Sequence, residues 1–357
     1  MIRKITTAQH MLLLLLAILL SCGRPAAHRA GGNDRNTIAT VRTTPVKQQG
    51  NGTLCWLYAM TATLESEHLG EGDSVNLSAA FVARMMLHDE AVRCFRGMGR
   101  TDIALRGMMP TALHYINMYG IVPYDSYVDA EDADWTVLLR KITAMARAAA
   151  ARHEEQRDFE SAVNSLLDDE LGPLPAPHVY MFGAEYTRQE FAHSVCAPDE
   201  YVFLCSTTGE RMNTPVMLNE PDNVFRDTFR NVPLDTLMLH IRRAVSTGHP
   251  VCWEGHVLRN SILNENSHGS SYIDEPATAT AAERERRYQR LETTDDHALC
   301  ITGLVRHGGK LYYKCKNSWG EKWGDKGYCY LSENYIAMNT IAVAMSRKAY
   351  AARHAQP

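Results

Sequence analysis

Apolar residues change their period along this chain, from helical spacing in the first half to short β-branched and aromatic runs in the last third. From Cys55 to Leu69, apolar residues at 56, 59, 60 and 64 recur three or four apart and predict a helix with one buried face. Ser78 opens a second helical stretch from Ala79 to Met86. A third covers Met109 to Tyr119, with Gly120 at its end and Pro123 soon after. Residues 135 to 171 read as a helical hairpin: an alanine-rich arm (Ala144 to Ala151), then an arm carrying Phe159, Ala162, Val163, Leu166 and Leu167. Pro173, Pro175 and Pro177 break that pattern. Pro233 to Ser246 predicts one more helix, with proline suited to its first position and Gly248 closing it.

The last third has a different grammar. Val251-Cys252-Trp253, Ala298 to Val305, Leu311 to Lys316, Tyr328 to Leu331 and Ile341 to Met345 are short runs separated by glycines and charged turns. They predict a twisted antiparallel sheet. The expected class is therefore α+β, a two-lobed fold with a helical first lobe, an antiparallel β second lobe and a helical insertion at about 128–175. A cleft is expected between the lobes.

The N-terminus does not read as part of the fold. Arg3 and Lys4 make a basic start, and the apolar block Met11 to Leu20 is too short to span a membrane as a helix. Leu19-Leu20-Ser21-Cys22-Gly23 follows, which resembles a bacterial lipoprotein signal. That resemblance implies removal of residues 1–21, lipidation of Cys22, a tether over 22–44 and anchoring to a lipid bilayer in the bacterial cell envelope. The folded domain is expected over 45–350, with a loose tail at 351–357.

Bulk properties narrow the partners. The chain has 357 residues, 45% apolar and 22% charged, as an ordinary globular protein has. A net charge of −4 without a basic stripe gives no reason to expect nucleic acid, and charge runs such as Glu283 to Arg290 read as solvated surface. His153-Glu154-Glu155 lacks a second histidine at ligand spacing, so neither a metal nor a cofactor is expected. Nine cysteines are present, and Cys252, Cys300, Cys315 and Cys329 lie in apolar runs that suit buried small side chains rather than a disulfide frame.

One set of polar residues stands out by its order. Cys55 begins the first helix, where unsatisfied amides and the helix dipole favour a thiolate. His297 follows two acids at the start of a strand-like run, and Asn317 lies across an apparent strand hairpin from it, where an amide can fix the ring's tautomer. Trp319 is placed to cover that bond. Gln49, on a glycine-bearing loop before Cys55, can donate to an oxyanion together with the Cys55 N–H.

These features resemble the papain-like cysteine peptidases. Val46-Lys47-Gln48-Gln49-Gly50, Cys55-Trp56, Asp296-His297-Ala298, Lys316-Asn317-Ser318-Trp319-Gly320, Trp323-Gly324 and Gly327-Tyr328 fall in that family's order, and the likeness covers roughly residues 45–346. It implies Cys55 as nucleophile, His297 as base, Asn317 as orienter and Gln49 in the oxyanion hole. Gly107 and Trp319 are implied on the substrate side, with peptides as substrates. The Cys-to-His spacing exceeds the about 130–150 residues of papain relatives. That excess, the short stretch before Val46, and the segments Asn231 to Leu237, Thr293 to Gly303 and Gly327 to Met345 are similar to the bleomycin hydrolase-like branch. In that branch the C-terminal tail holds the substrate's amine, and here Arg347 to Pro357 follow the last strand.

The chain departs from the pattern at Thr53, Leu54, Gly52, Arg106 and Met108. The departures put the substrate-contacting walls in question, with the bulky Leu54 expected to narrow or reshape the cleft. Aminopeptidase and endopeptidase action both remain open, as do a non-catalytic peptide-binding lipoprotein on the same fold and an oligomeric state.

Overall fold

The computed structural model describes residues 35–130, 133–181, 183–257 and 271–352. The signal segment, Cys22 and the end of the tail lie outside the described residues. The first half supplies helices α1 (Cys55–Glu71), α2 (Ala79–Arg96), α3 (Met109–Tyr119), α4 (Trp135–Ala151) and α5 (Gln156–Leu171). Ser78 caps α2 through its side chain, and α4 and α5 form the predicted hairpin. Helix α2 runs ten residues past the predicted Met86, because its later turns also bury Leu87, Ala91 and Cys94.

Helix α1 departs from the expected single buried face. Every residue from Trp56 to Glu67 is buried, because the helix lies between the other helices and the sheet. Its polar residues are therefore buried too, and the interior provides for them. Thr61 and Thr63 bond back to the carbonyls of Leu57 and Ala59, and Glu65 has partners from three directions. A helix buried all round shows no strong stripe.

The sheet is built mainly from the last third, as the pattern predicted, but it extends further. In spatial order it contains β5 (Pro215–Met217), β6 (Thr228–Asn231), β4 (Tyr201–Cys205), β12 (Thr340–Ser346), β7 (Val251–Gly255), β9 (His297–His307), β10 (Lys310–Lys316), β11 (Tyr328–Ser332) and β8 (Tyr272–Ile273). Neighbours are antiparallel except β4 with β6 and β8 with β11. A small hairpin of β2 (His178–Met181) and β3 (Ala184–Thr187) precedes α6 (Arg188–Val195). The helix predicted from Pro233 is α7 (Leu234–Ser246), with Pro233 as its cap rather than its first turn. The charge run near Glu283 forms α8 (Ala281–Gln289), from which Arg284 is buried and bonds Ser206 O and Ala337 O. Two separate apolar cores, one around α1 and one within the β half, give the two-lobed character.

Part of the stretch 22–44, expected as a tether, is a strand. Arg35–Thr40 is a strand, β1, paired with β9, and Val41 N–H donates to Thr302 O at 2.7 Å. The pairing satisfies backbone groups that sequence pattern alone does not reveal. Among the described residues all cysteines are free, although Cys252 faces Cys300 and Cys315 faces Cys329 across strand pairs. No helix among the described residues is long and apolar enough to cross a membrane.

After the last strand, α9 (Glu333–Asn339) having preceded it, Arg347–Ala351 forms helix α10. Lys348 pairs with Glu71 at the last residue of α1, and Tyr350 stacks on His240 of α7. The tail's first residues are thus held at the opposite end of α1 from Cys55, about 24 Å away at 1.5 Å per residue.

The close approach of β7 to the start of β12 depends on a missing side chain. Gly255 stands opposite His297, and a Cβ there would lie 2.2 Å from the Asn339 carbonyl oxygen. Gly255→Ala should force β7 and β12 apart and cost about 2 kcal/mol, within the usual range for overpacking, read as a lower midpoint of chemical denaturation.

Candidate active site

The N-terminus of α1 meets the start of β9. Cys55 is the first residue of α1, half-buried, and His297 is the first residue of β9, 7% exposed. Both lie on the wall of one cavity of about 150 Å³, together with Trp56, Gly107 and Ala298. The backbone N–H groups of Ala298 and Trp56 face the Cys55 sulfur and favour its anion. Burial outweighs them, with the charges of Asp295 and Glu254 adding to it, and pushes the thiol up to about 12.

Asn317 is brought to the far side of the imidazole. Its Oδ1 lies 3.0 Å from His297 Nε2 and also accepts from Ser318 N–H at 2.8 Å, which fixes the amide's orientation. Nε2 must then carry the proton, and in the neutral ring the lone pair falls on Nδ1. Trp319 stands beside the ring, centroids 4.7 Å apart, and packs edge-on against Trp323. It packs against the imidazole and is not among the residues lining the cavity, where the substrate-side reading places it.

Gln49 is tied to the same loop twice. Its N–H donates to Ser318 O at 2.8 Å, and Ser318 Oγ donates to Gln49 Oε1 at 2.5 Å. Gln49 Nε2 donates to Gly52 O at 2.6 Å, leaving its second N–H for another acceptor. Gly320 N–H bonds Lys47 O, so the loops around Gln49 and Asn317 form one strapped unit. The insertion braces it: Asn51 donates to Asp134 and accepts from Trp135 N–H at the head of α4.

Gly107 packs against the Trp56 ring, where a Cβ would lie 3.0 Å from it, and borders the cavity. Leu54 does not narrow the cavity as expected. It is fully buried in the helical core, and Thr53 takes the place on the wall.

Sequence reasoning missed an acidic wall. Asp222, Glu254, Asp295 and Asp296 all border the cavity. Arg106, noted only as a departure, bonds Asp222 through Nε at 3.0 Å and a second nitrogen at 2.9 Å. Asp296 bonds Val257 N–H at 2.7 Å and His256 at 2.8 Å. The available signal for Glu254 was a carboxylate inside the apolar run from Val251. No metal-binding cluster occurs among the described residues.

The papain family cysteine protease model matches residues 282–349, a span holding His297 and Asn317. Aminopeptidase W of Lactobacillus delbrueckii subsp. lactis is 24% identical over 299 residues, covering 73% of this chain and 67% of that one. Aminopeptidase E of Lactobacillus helveticus is 24% identical over 206 residues, 54% of this chain and 43% of its own. The crystal structure of PepW from Lactobacillus rhamnosis superposes with a TM-score of 0.62 at 18% identity, covering 98% of this chain and 94% of that one. The chain is similar to the papain family over residues 282–349 and shares the fold of PepW. It is a hydrolase of peptide bonds with a papain-like α+β fold.

What keeps this papain-like site together lies beneath it. Glu65 of α1 is fully buried and binds Thr44, Lys47 and the Leu77 N–H. Lys316, next to Asn317, is buried as well and donates to Thr44 O and Oγ1 at 2.9 and 3.0 Å. Burial pushes the Lys316 amine down, and the Glu65 charge opposes that. Glu65→Ala would strand two lysines in the interior. It should cost about 3–5 kcal/mol, the usual penalty for breaking a buried pair, seen in urea unfolding.

Proposed function

We propose that this peptidase works through Cys55, His297, Asn317 and Gln49, and that it acts as an aminopeptidase. The observation that carries the catalytic assignment is the 3.0 Å bond from His297 Nε2 to Asn317 Oδ1, beside a cavity that also contains Cys55. In this reading the Cys55 sulfur attacks the scissile carbonyl carbon, and its proton passes to His297 Nδ1. The carbonyl oxygen becomes an oxyanion held by the Cys55 N–H and the remaining Gln49 N–H. Collapse breaks the C–N bond, His297 gives its proton to the leaving amine, and a thioester remains. His297 then takes a proton from water, which attacks the thioester and frees the acid and the thiol. Asn317 keeps the ring in the required tautomer throughout.

The names of aminopeptidases W and E support the exopeptidase reading. Membrane anchoring through a lipidated Cys22 belongs to the same proposal and rests on the signal-like sequence ahead of it.

Cys55→Ala should remove all peptide hydrolysis, and Gln49→Ala should lower kcat by about 10²–10³, the usual loss of one oxyanion donor. Peptides with a free α-amine should be cleaved and their N-acetylated forms not; equal cleavage would make the enzyme an endopeptidase. Cys22→Ser should move the protein from the membrane to the soluble fraction on centrifugation of lysed cells; a protein that is soluble with Cys22 intact overturns the anchor.

A further inference from the structure

The acidic wall of the cleft contains a group whose second oxygen no described residue satisfies. Glu254 sits on β7 opposite Ala298, next in line to the Gly255–His297 pair. Its strand neighbours Val251, Cys252 and Trp253 are apolar and fully buried, so the layer itself has no need of a charge. Glu254 is 1% exposed. Its Oε1 accepts from Met109 N–H at 2.5 Å, the first amide of α3, whose own cap residue Met108 provides no side-chain acceptor. That contact explains one oxygen. The other, Oε2, is buried without a hydrogen-bond partner among the described residues, on a residue that borders the cavity with Cys55. A neutral acceptor would cap α3 as well, so the charge and the spare oxygen need another account.

The surroundings make negative charge here costly unless a cation enters. Burial, and then the Asp295 charge, pushes the Glu254 carboxyl well above the usual carboxylate range. Burial, and then the charges of Glu220, Asp222 and Asp296, does the same to Asp295. Arg106 is the only arginine or lysine among the described residues on this wall, and it is committed to Asp222 by two bonds. Asp296 is engaged by His256 and the Val257 N–H. The unmet demand of the cavity is thus for a cation at Glu254 and Asp295.

We infer that Glu254, with Asp295, forms a subsite in the cleft that takes a cationic nitrogen of the peptide substrate, an ammonium or a guanidinium next to the scissile bond. The subsite deepens the peptidase reading and rests on it. Two sources can supply the nitrogen: the substrate's own α-amine, or a lysine or arginine side chain. A cation there also offsets the two carboxylates that raise the Cys55 thiol.

The experiment compares kcat/KM of the full chain and Glu254→Gln on matched peptide pairs. Glu254→Gln keeps a carbonyl oxygen for the Met109 N–H and removes the charge. One arm pairs free-amine with N-acetylated peptides. The other pairs N-acetylated arginine with N-acetylated citrulline peptides, the residue placed at the scissile bond or one before it. The wild type should favour the cationic member by about tenfold or more in at least one arm, and that arm names the source of the nitrogen. In Glu254→Gln the ratio should fall towards one. Should that variant not fold, Asp295→Asn is read in the same way. A ratio near one in both arms, or one undiminished in the variant, overturns the subsite.

Labelling of Cys55 by peptidyl epoxides with guanidino or ureido arms gives the same ratio without turnover. Cation-selective labelling without hydrolysis would sink the peptidase reading and keep the subsite. Hydrolysis without selectivity would do the reverse, and neither labelling nor hydrolysis would overturn both.

Discussion

The structure depends on the N-terminus of one buried helix being held against the first residue of one strand. Cys55 heads α1 and His297 heads β9, and neither end is free to move alone. Helix α1 is enclosed from Trp56 to Glu67. Strand β9 is locked between β7 and β10 and carries β1 as well. The two meet because Glu65, inside the helix, gathers Lys47 and Thr44 from the chain ahead of Cys55, and Thr44 in turn accepts from Lys316 beside Asn317. A charged network in the interior is poor as a source of net stability but strict about geometry. Here it ties the Gln49 loop, the helix and the Asn317 loop into one body.

The electrostatics of the cleft pull against each other. The helix start and the N–H groups of Trp56 and Ala298 favour a thiolate, while burial and the carboxylates Asp295 and Glu254 favour the thiol. A site lined only by apolar groups would keep the burial cost but not the dependence on carboxylate charge. The acidic wall makes the chemistry of the sulfur sensitive to what charge enters the cavity, and this links substrate choice to the state of the nucleophile.

Helices α1 and α3 to α5, and strands β7 and β9 to β12, were legible in the sequence, because each has a long periodic pattern or a bounded apolar run. The strands between 178 and 231 were not. Tyr201–Cys205 is five residues of a central strand with no alternation, lying amid polar turns, and its partners β12 and β6 are distant in sequence or out of order. Strand β1 was hidden in a polar stretch, since edge pairing satisfies backbone groups whatever the side chains are. Leu54 was misjudged for a related reason. Position next to a nucleophile does not tell which way a side chain turns, and this one turns into the helical core.

By itself the sequence determined the fold class, the order of thiol, imidazole and amide, and the kind of chemistry that order serves. These follow from local spacing and from motifs read in sequence. Only the tertiary structure decided what surrounds the sulfur. Glu254, Asp295, Asp222 and Arg106 come from four separate segments and share a wall only because β7 pairs with β9 and the loops before α3 and β6 close over them. Charge and burial act through space rather than along the chain, so the polarity of the cleft appears only when distant segments are packed together.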